Sequence, residues 1–124
     1  MPVSTRVRDG VLVLTVDGDY TANELRRISS GAFEAEGTPS PAPVLLDMSG
    51  AAGLADKSQQ ELEATGAIFG AYRDRVSGIA VVASPEVFEL FDHQSPFASE
   101  AGVSVQAYQS HDDARAWLLS GGSN

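Results

Sequence analysis

Four short apolar runs recur along the chain, and a helix-start signal follows each of them. The runs are VLVLTV, VLLDM, GIAVVA and VSVQAY, which begin at residues 11, 44, 78 and 103. The signals are Thr21, Ser58, Ser84 and Ser110, residue types that cap helices by accepting a backbone N–H bond. This alternation predicts an α/β fold with a mostly parallel sheet, because parallel strands need helical crossovers.

The chain begins with a predicted β-hairpin. Asp9-Gly10 lies between TRVR and VLVLTV, and this dipeptide favours a type I′ turn, in which both central residues have positive φ. The second strand is apolar on both faces apart from Thr15, as in a strand covered on both sides. We therefore expect a single domain over residues 1–124. It has a hairpin, the order βαβαβαβα and a sheet of about four or five strands flanked by helices.

The spacing of residues in the segments between the apolar runs predicts helices there. Thr21 with Glu24, and Ser58 with Glu61, have the spacing of a capping box. One face of a long helix after Ser58 is predicted to carry Leu62, Thr65, Phe69, Tyr72 and Val76.

The formal net charge of −9 argues against nucleic acid or anionic membranes as partners, because a negative field repels them. The chain has no cysteine, which excludes disulfides and zinc–thiolate sites. Its N-terminus has no apolar signal core, and it has no apolar stretch long enough to span a membrane. We therefore expect a cytoplasmic protein without a membrane span.

Two segments resemble the SpoIIAA-like superfamily, which includes the STAS domains and the anti-sigma-factor antagonists. VLLDMSGAAGLADKS (44–58) resembles the strand, loop and helix start in which that family has an aspartate after a buried strand. AYQSHDDARAWLLSG (107–121) resembles its closing strand and helix. The resemblance implies the fold given above and a non-enzymatic regulatory module that docks a partner protein.

Asp56, Lys57 and Ser58 open the second helix and allow three interpretations. A P-loop would need glycine at Ala51 and Asp56, and an aspartate there would repel phosphate. The resemblance implies that Ser58 is a phosphoacceptor, whose phosphate blocks docking and is held at a helix N-terminus. Lys57 and Gln59 depart from the family pattern at this point. The simplest interpretation is that Ser58 caps the helix.

A parallel sheet also places its helix starts at one edge, where ligands of open α/β sheets bind. The candidate ligand rim consists of residues that follow the strands, namely Asp17, Tyr20, Asp47, Ser49, Ser84 and Phe97. Turn chemistry also explains Asp17. Phe97 either lines a pocket or partner surface or folds back over the core.

Neither histidine has a sequence context that requires a metal site. His93 and His111 each adjoin an aspartate, and nothing in the spacing makes the two converge. No nucleophile has an evident base and orienting acid. We expect no catalytic residue, no metal and no cofactor.

Three functions are left, in this order: protein docking, carriage of a small apolar or amphipathic ligand against the sheet, and a small enzyme. The partner or ligand itself is not identified by the sequence. We expect a homodimer rather than a monomer, since small domains often close exposed apolar faces symmetrically. The strand TRVR is expected at the sheet edge, where Arg6 and Arg8 discourage uncontrolled pairing.

Overall fold

Five strands form one sheet and lie side by side in chain order. The computed structural model of the protein describes residues 3–18, 20–35, 42–51, 59–83 and 105–120. The strands are β1 (Val3–Arg8), β2 (Val11–Gly18), β3 (Ala42–Ala51), β4 (Val76–Val82) and β5 (Val105–Tyr108). β1 is antiparallel to β2, and the other neighbouring pairs are parallel. The predicted mostly parallel sheet is confirmed.

The hairpin between β1 and β2 has the predicted turn. Asp9 has φ of 54° and Gly10 has φ of 80°, so both central residues are left-handed, as a type I′ turn requires. Arg8 pairs with Val11 directly across the turn. The expectation that β1 lies at an edge of the sheet is also confirmed.

Three helices are described: α1 (Ala22–Glu34), α2 (Gln59–Ala71) and α3 (His111–Leu119). Thr21 Oγ1 accepts from the Glu24 N–H at 3.1 Å, and Ser110 Oγ accepts from the Asp113 N–H at 3.2 Å. Two of the four predicted caps are therefore present, and the other two, Ser58 and Ser84, lie outside the described residues. The helix predicted after Ser84 lies outside the described residues. Within the described ranges, every helix is too short or too polar to cross a membrane.

One helix boundary differs from its prediction. Val76 was expected on the last turn of α2, but α2 ends at Ala71, and a 3-10 turn follows over Arg73–Arg75. Val76 is the first residue of β4 and pairs with Ala42. Its apolar side chain fits a helix period and a strand equally well, so spacing alone could not assign it.

β3 is longer than the predicted run of residues 44–48, since it extends from Ala42 to Ala51. Pro43 lies within it, although β3 is a central strand and proline has no N–H to donate. The register with β4 shifts between Ala42 and Pro43. This irregularity at the start of the strand accommodates the missing donor.

α1 and α2 cover one face of the sheet and form the larger core with it. Successive parallel strands advance in one direction across the sheet, so right-handed crossovers place both helices on the same side. The Phe33 ring meets Phe69 edge-on at a centroid distance of 6.4 Å and stacks on Tyr72 at 4.8 Å. Sheet residues buried in this core include Leu12, Leu14, Val16, Val44, Leu46 and Met48.

α3 covers the opposite face and forms a smaller core. Its Ala114 and Leu118 pack with alternate sheet residues, among them Val11, Val13, Leu45, Ala80 and Val82. Tyr108 and Trp117 lie at the margin of this core, with ring centroids 6.2 Å apart. β2 is therefore buried on both faces, as its unbroken apolar run predicts.

Two glycines give a matched test of the backbone. A Cβ added at Gly10 or at Gly31 meets nothing within 4 Å, but only Gly10 has positive φ. We expect Gly31→Ala, in the last turn of α1, to raise the free energy of unfolding by about 0.5 kcal/mol. Gly10→Ala should lower it by about 1 kcal/mol, because an L-residue is strained there.

Urea unfolding of both variants and the wild type measures the two changes. Because the added methyl group is the same, the opposite signs come from φ alone. Equal signs would contradict the hairpin geometry.

Candidate functional site

The carboxyl ends of the parallel strands gather polar residues at one edge of the sheet. β2 ends at Asp17 and Gly18, and the last part of β3 contains Asp47 and Ser49. α3 begins at the same edge with His111, and two residues separate it from the end of β5. Polar groups at this edge are the expected ligand-binding groups of an open α/β sheet.

Asp47 lies at the centre of a hydrogen-bonded cluster. Its Oδ1 accepts from the Ser49 hydroxyl at 2.6 Å and from the Ser49 N–H at 3.0 Å. Its Oδ2 is 2.7 Å from Nε2 of His111. The Asp47 side chain is 13% exposed and that of His111 is 47% exposed. The carboxylate is thus mostly enclosed, while the imidazole faces solvent.

The surroundings of Asp47 favour its ionised form. Burial raises the pKa of its carboxyl group, but hydrogen bonds from the Ser49 side chain and backbone and from His111 outweigh burial. The pKa therefore lies below its ordinary value of 3.8. Asp47 is an anion at neutral pH, held by donors on both oxygens.

This cluster differs from a nucleophilic triad in the order of its members. In such a triad a histidine lies between the serine and the aspartate and accepts the hydroxyl proton. Here Asp47 lies between Ser49 and His111, and the hydroxyl donates to the carboxylate. The cluster joins β3 to the start of α3 and leaves an imidazole at the edge.

The remaining candidate rim residues have separate surroundings. Asp17 is exposed at the end of β2 and pairs in register with Gly50. A Cβ at Gly50 would lie 3.0 Å from Asp17 Oδ1, so the absence of a side chain allows this close approach. Tyr20 lies in the interior instead of at the rim: its side chain is fully buried, and its hydroxyl is 3.3 Å from Thr65 Oγ1.

Several predicted residues lie outside the described part of the chain. These are Asp56, Lys57 and Ser58 at the start of the second helix, Ser84 and Phe97 of the rim, and His93. Among the described residues, no group of three or more acidic or histidine side chains is arranged to hold a metal ion.

The contact between His111 and Asp47 was not predicted from the sequence. The two residues are 64 positions apart, and they share no sequence motif. A signal did exist. Asp47 lies near the end of one apolar run and His111 directly follows the cap Ser110, so a parallel sheet brings both to one edge.

A groove between α1 and α2, which we call the helix groove, is the larger of two surface depressions that we describe. It is open to solvent and has a volume of about 540 Å³. It is lined by small and apolar side chains with one cation, namely Arg26, Ser30, Ala64, Ala67, Ile68, Ala71 and Tyr72. The Tyr72 hydroxyl donates to Ser30 Oγ at 2.8 Å and links the two helices.

No protein-family model matches the chain, and no curated protein matches it. A solved structure does. It is an uncharacterised protein of the DUF3478 family with a SpoIIAA-like fold, from Shewanella loihica PV-4. The TM-score is 0.63 at 14% sequence identity, and the match covers 94% of this chain and 91% of the other. At this identity the similarity concerns the fold, and it confirms the SpoIIAA-like fold that the sequence resembles.

The Asp47 cluster predicts a pH-dependent contribution to stability. Because the folded-state pKa is lowered, the ionised carboxylate stabilises the fold above the ordinary pKa, and this is lost as the pH falls through the folded-state value. At neutral pH we expect Asp47→Asn to lower the free energy of unfolding by about 1.5 kcal/mol. The deficit should shrink as the pH falls from about 5 to about 2.

Urea titrations across this range measure the deficit. Asp74→Asn removes an exposed carboxylate from the 3-10 turn and serves as the control. We expect it to change stability by less than about 0.5 kcal/mol. A deficit for Asp47→Asn that stays constant with pH would show that the charge of Asp47 is not the cause.

Proposed function

We propose that this SpoIIAA-like domain is a non-enzymatic binding module that docks a partner protein in the helix groove. The observation that carries the proposal is the helix groove itself, a depression of about 540 Å³ that is lined by the cation Arg26 and by exposed alanines of α2. The alanines are Ala64, Ala67 and Ala71. Their spacing of three and four residues places them on one face of the helix. Such short side chains let a partner approach the helix backbone closely.

The groove has rigid walls. Phe33 of α1 stacks on Tyr72 and meets Phe69 of α2 edge-on, while a hydrogen bond joins Tyr72 to Ser30. Ile68, which lines the groove, is buried and anchored in the core. A preformed groove loses little conformational freedom on binding, which favours affinity.

Arg26 gives the groove a charge preference. Its guanidinium donates to the Asn23 side chain at 2.6 Å. Among the described residues, no carboxylate forms an ion pair with it. A partner surface that combines an apolar side chain with an acidic group complements this lining, since the guanidinium can bind a carboxylate with two parallel hydrogen bonds.

A phosphorylation switch at Ser58 is consistent with this preference. Ser58 directly precedes Gln59, the first residue of α2. Along the helix axis, Gln59 lies about 7.5 Å from Ala64, which is similar to the Debye length of about 8 Å at physiological ionic strength. A phosphate at Ser58 would therefore repel an acidic partner surface, which gives a physical reason for the block that the family resemblance implies.

Carriage of a small amphipathic molecule is the second candidate function. The volume of the helix groove, about 540 Å³, falls within the range of about 300 to 1,000 Å³ that is usual for small-molecule sites. Native mass spectrometry of the purified protein tests this alternative. A stoichiometric added mass that disappears in Ala67→Glu would favour the carrier over the docking module.

The docking proposal predicts that a bulky charged side chain weakens partner binding in the helix groove but not on the other face of the sheet. Ala67→Glu places a long carboxylate in the helix groove, while Ala116→Glu makes the same change on an exposed position of α3, on the other face of the sheet. The partner is isolated by affinity capture on the wild type, identified by mass spectrometry and purified. Titration calorimetry should then show at least about tenfold weaker binding to Ala67→Glu.

Ala116→Glu should bind that partner as the wild type does. Equal affinities of all three proteins would overturn the groove as the docking surface. Equal losses in both variants would show that the effect comes from total charge.

The switch has its own test. The protein is incubated with its cognate kinase and ATP, and the modified residue is located by mass spectrometry. We expect one phosphate at Ser58, absence of the phosphate in Ser58→Ala, and weaker partner binding by the phosphorylated form. Ser77→Ala, an exposed serine of β4, is the control and should be modified normally. Phosphorylation that persists in Ser58→Ala would exclude Ser58 as the acceptor.

A further inference from the structure

A second groove lies on the opposite face of the sheet, beside α3, and has a volume of about 140 Å³. We call it the arginine groove. Its floor consists of Val11, Val13 and Leu45, which are all buried. This floor belongs to the smaller core, so the groove is separated from the helix groove by the thickness of the sheet.

Two arginines of β1 form one wall. Arg6 pairs in register with Val13, and Arg8 pairs with Val11. Directly paired residues lie on the same face of a sheet, and so do residues two apart along a strand. Both guanidinium groups therefore belong to the α3 face, over its apolar floor.

α3 forms the other wall with His111, Asp112 and Arg115. His111 is bonded to Asp47, and Arg115 forms an ion pair with Asp9 of the hairpin turn. Asp112 adds one negative charge at this wall.

Arg6 and Arg8 differ from Arg115 in their partners. Among the described residues, neither of them forms an ion pair with a carboxylate. His111 and Arg115 each have a carboxylate partner. Among the remaining lining residues, the two guanidinium charges of β1 face one carboxylate, that of Asp112. The groove is therefore locally cationic in a chain with a net charge of −9.

Arg115 also contributes an unsatisfied donor. Its Nε is buried and has no hydrogen-bond partner among the described residues. A buried donor without an acceptor costs about 1 to 3 kcal/mol, so such groups normally have one. Because this Nε is buried, an anion in the groove reaches it only if the Arg115 side chain moves.

Edge protection explains only part of this arrangement. Charged residues on an edge strand discourage pairing with other sheets, and β1 is an edge strand. That role accounts for Arg6 and Arg8 on β1. Arg115 of α3, across the same groove, is explained by its ion pair with Asp9. Edge protection does not explain the buried apolar floor beneath Arg6 and Arg8.

We propose that the arginine groove binds a small oxyanion, with a phosphate or carboxylate group held by Arg6 and Arg8 opposite Arg115. Guanidinium groups bind such oxygens with paired, charge-assisted hydrogen bonds. The apolar floor lowers the local dielectric and strengthens these bonds. The groove has room for about five waters, which fits inorganic phosphate or a small dicarboxylate.

Amide chemical shifts of the isotope-labelled protein test the proposal. The protein is titrated with sodium phosphate and, separately, with sodium succinate, against sodium chloride at matched ionic strength. We expect saturable shifts at Val11, Val13 and Leu45 with one or both oxyanions and no saturable shifts with chloride. The arm that saturates at the lower concentration identifies phosphate or carboxylate as the preferred group.

Arg6→Gln with Arg8→Gln should weaken binding at least about tenfold, since each lost charge-assisted bond weakens binding by about that factor. Arg73→Gln with Arg75→Gln removes the same charge from the exposed 3-10 turn and should leave binding unchanged. Arg6→Lys with Arg8→Lys keeps the charge and loses the paired geometry, so its affinity should be intermediate. This variant decides the matter if the glutamine pair does not fold.

Saturable shifts with chloride, or equal losses in the glutamine pair and in its control, would overturn the site. Because the groove is on the α3 face, Ala67→Glu should not change the anion titration. Failure of the docking proposal and failure of the anion site are therefore distinguishable.

Discussion

Burial of β2, β3 and β4 on both faces is the constraint from which the rest of the structure follows. Strands with apolar side chains above and below must be covered by helices on both sides. Crossover helices then force these strands to be parallel. Their carboxyl ends consequently meet at one edge, where Asp47, Ser49 and His111 form a hydrogen-bonded cluster. The contact between two residues far apart in sequence is a consequence of strand direction.

Local chemistry made much of the fold predictable from the sequence. The Asp9-Gly10 turn and the caps at Thr21 and Ser110 each depend on a few neighbouring residues, and the structure has all three. The boundary at Val76 was not predictable, because an apolar residue there suits either a helix face or a strand until its pairing partner is known.

The candidate sites were harder to predict from the sequence than the turn and the helix caps, because their contacts depend on how distant elements pack together. Asp47 was predicted at the rim, but its contact with His111 requires the placement of α3 over β3. Tyr20 was predicted at the rim because it follows β2, whereas its ring fills the core and its hydroxyl lies by Thr65. The helix groove depends on aromatic contacts that fix α1 against α2. The separation of the two helices cannot be predicted from the sequence of either helix alone.

Trp117 is the only tryptophan in the chain, and its place beside Tyr108 makes it a natural optical reporter. The two ring centroids are 6.2 Å apart, which is close enough for efficient energy transfer from tyrosine to tryptophan. Intrinsic fluorescence will therefore follow any loosening of α3 from the sheet. Because Trp117 lies on the face of the sheet opposite α1 and α2, its emission reports on the α3 half of the molecule.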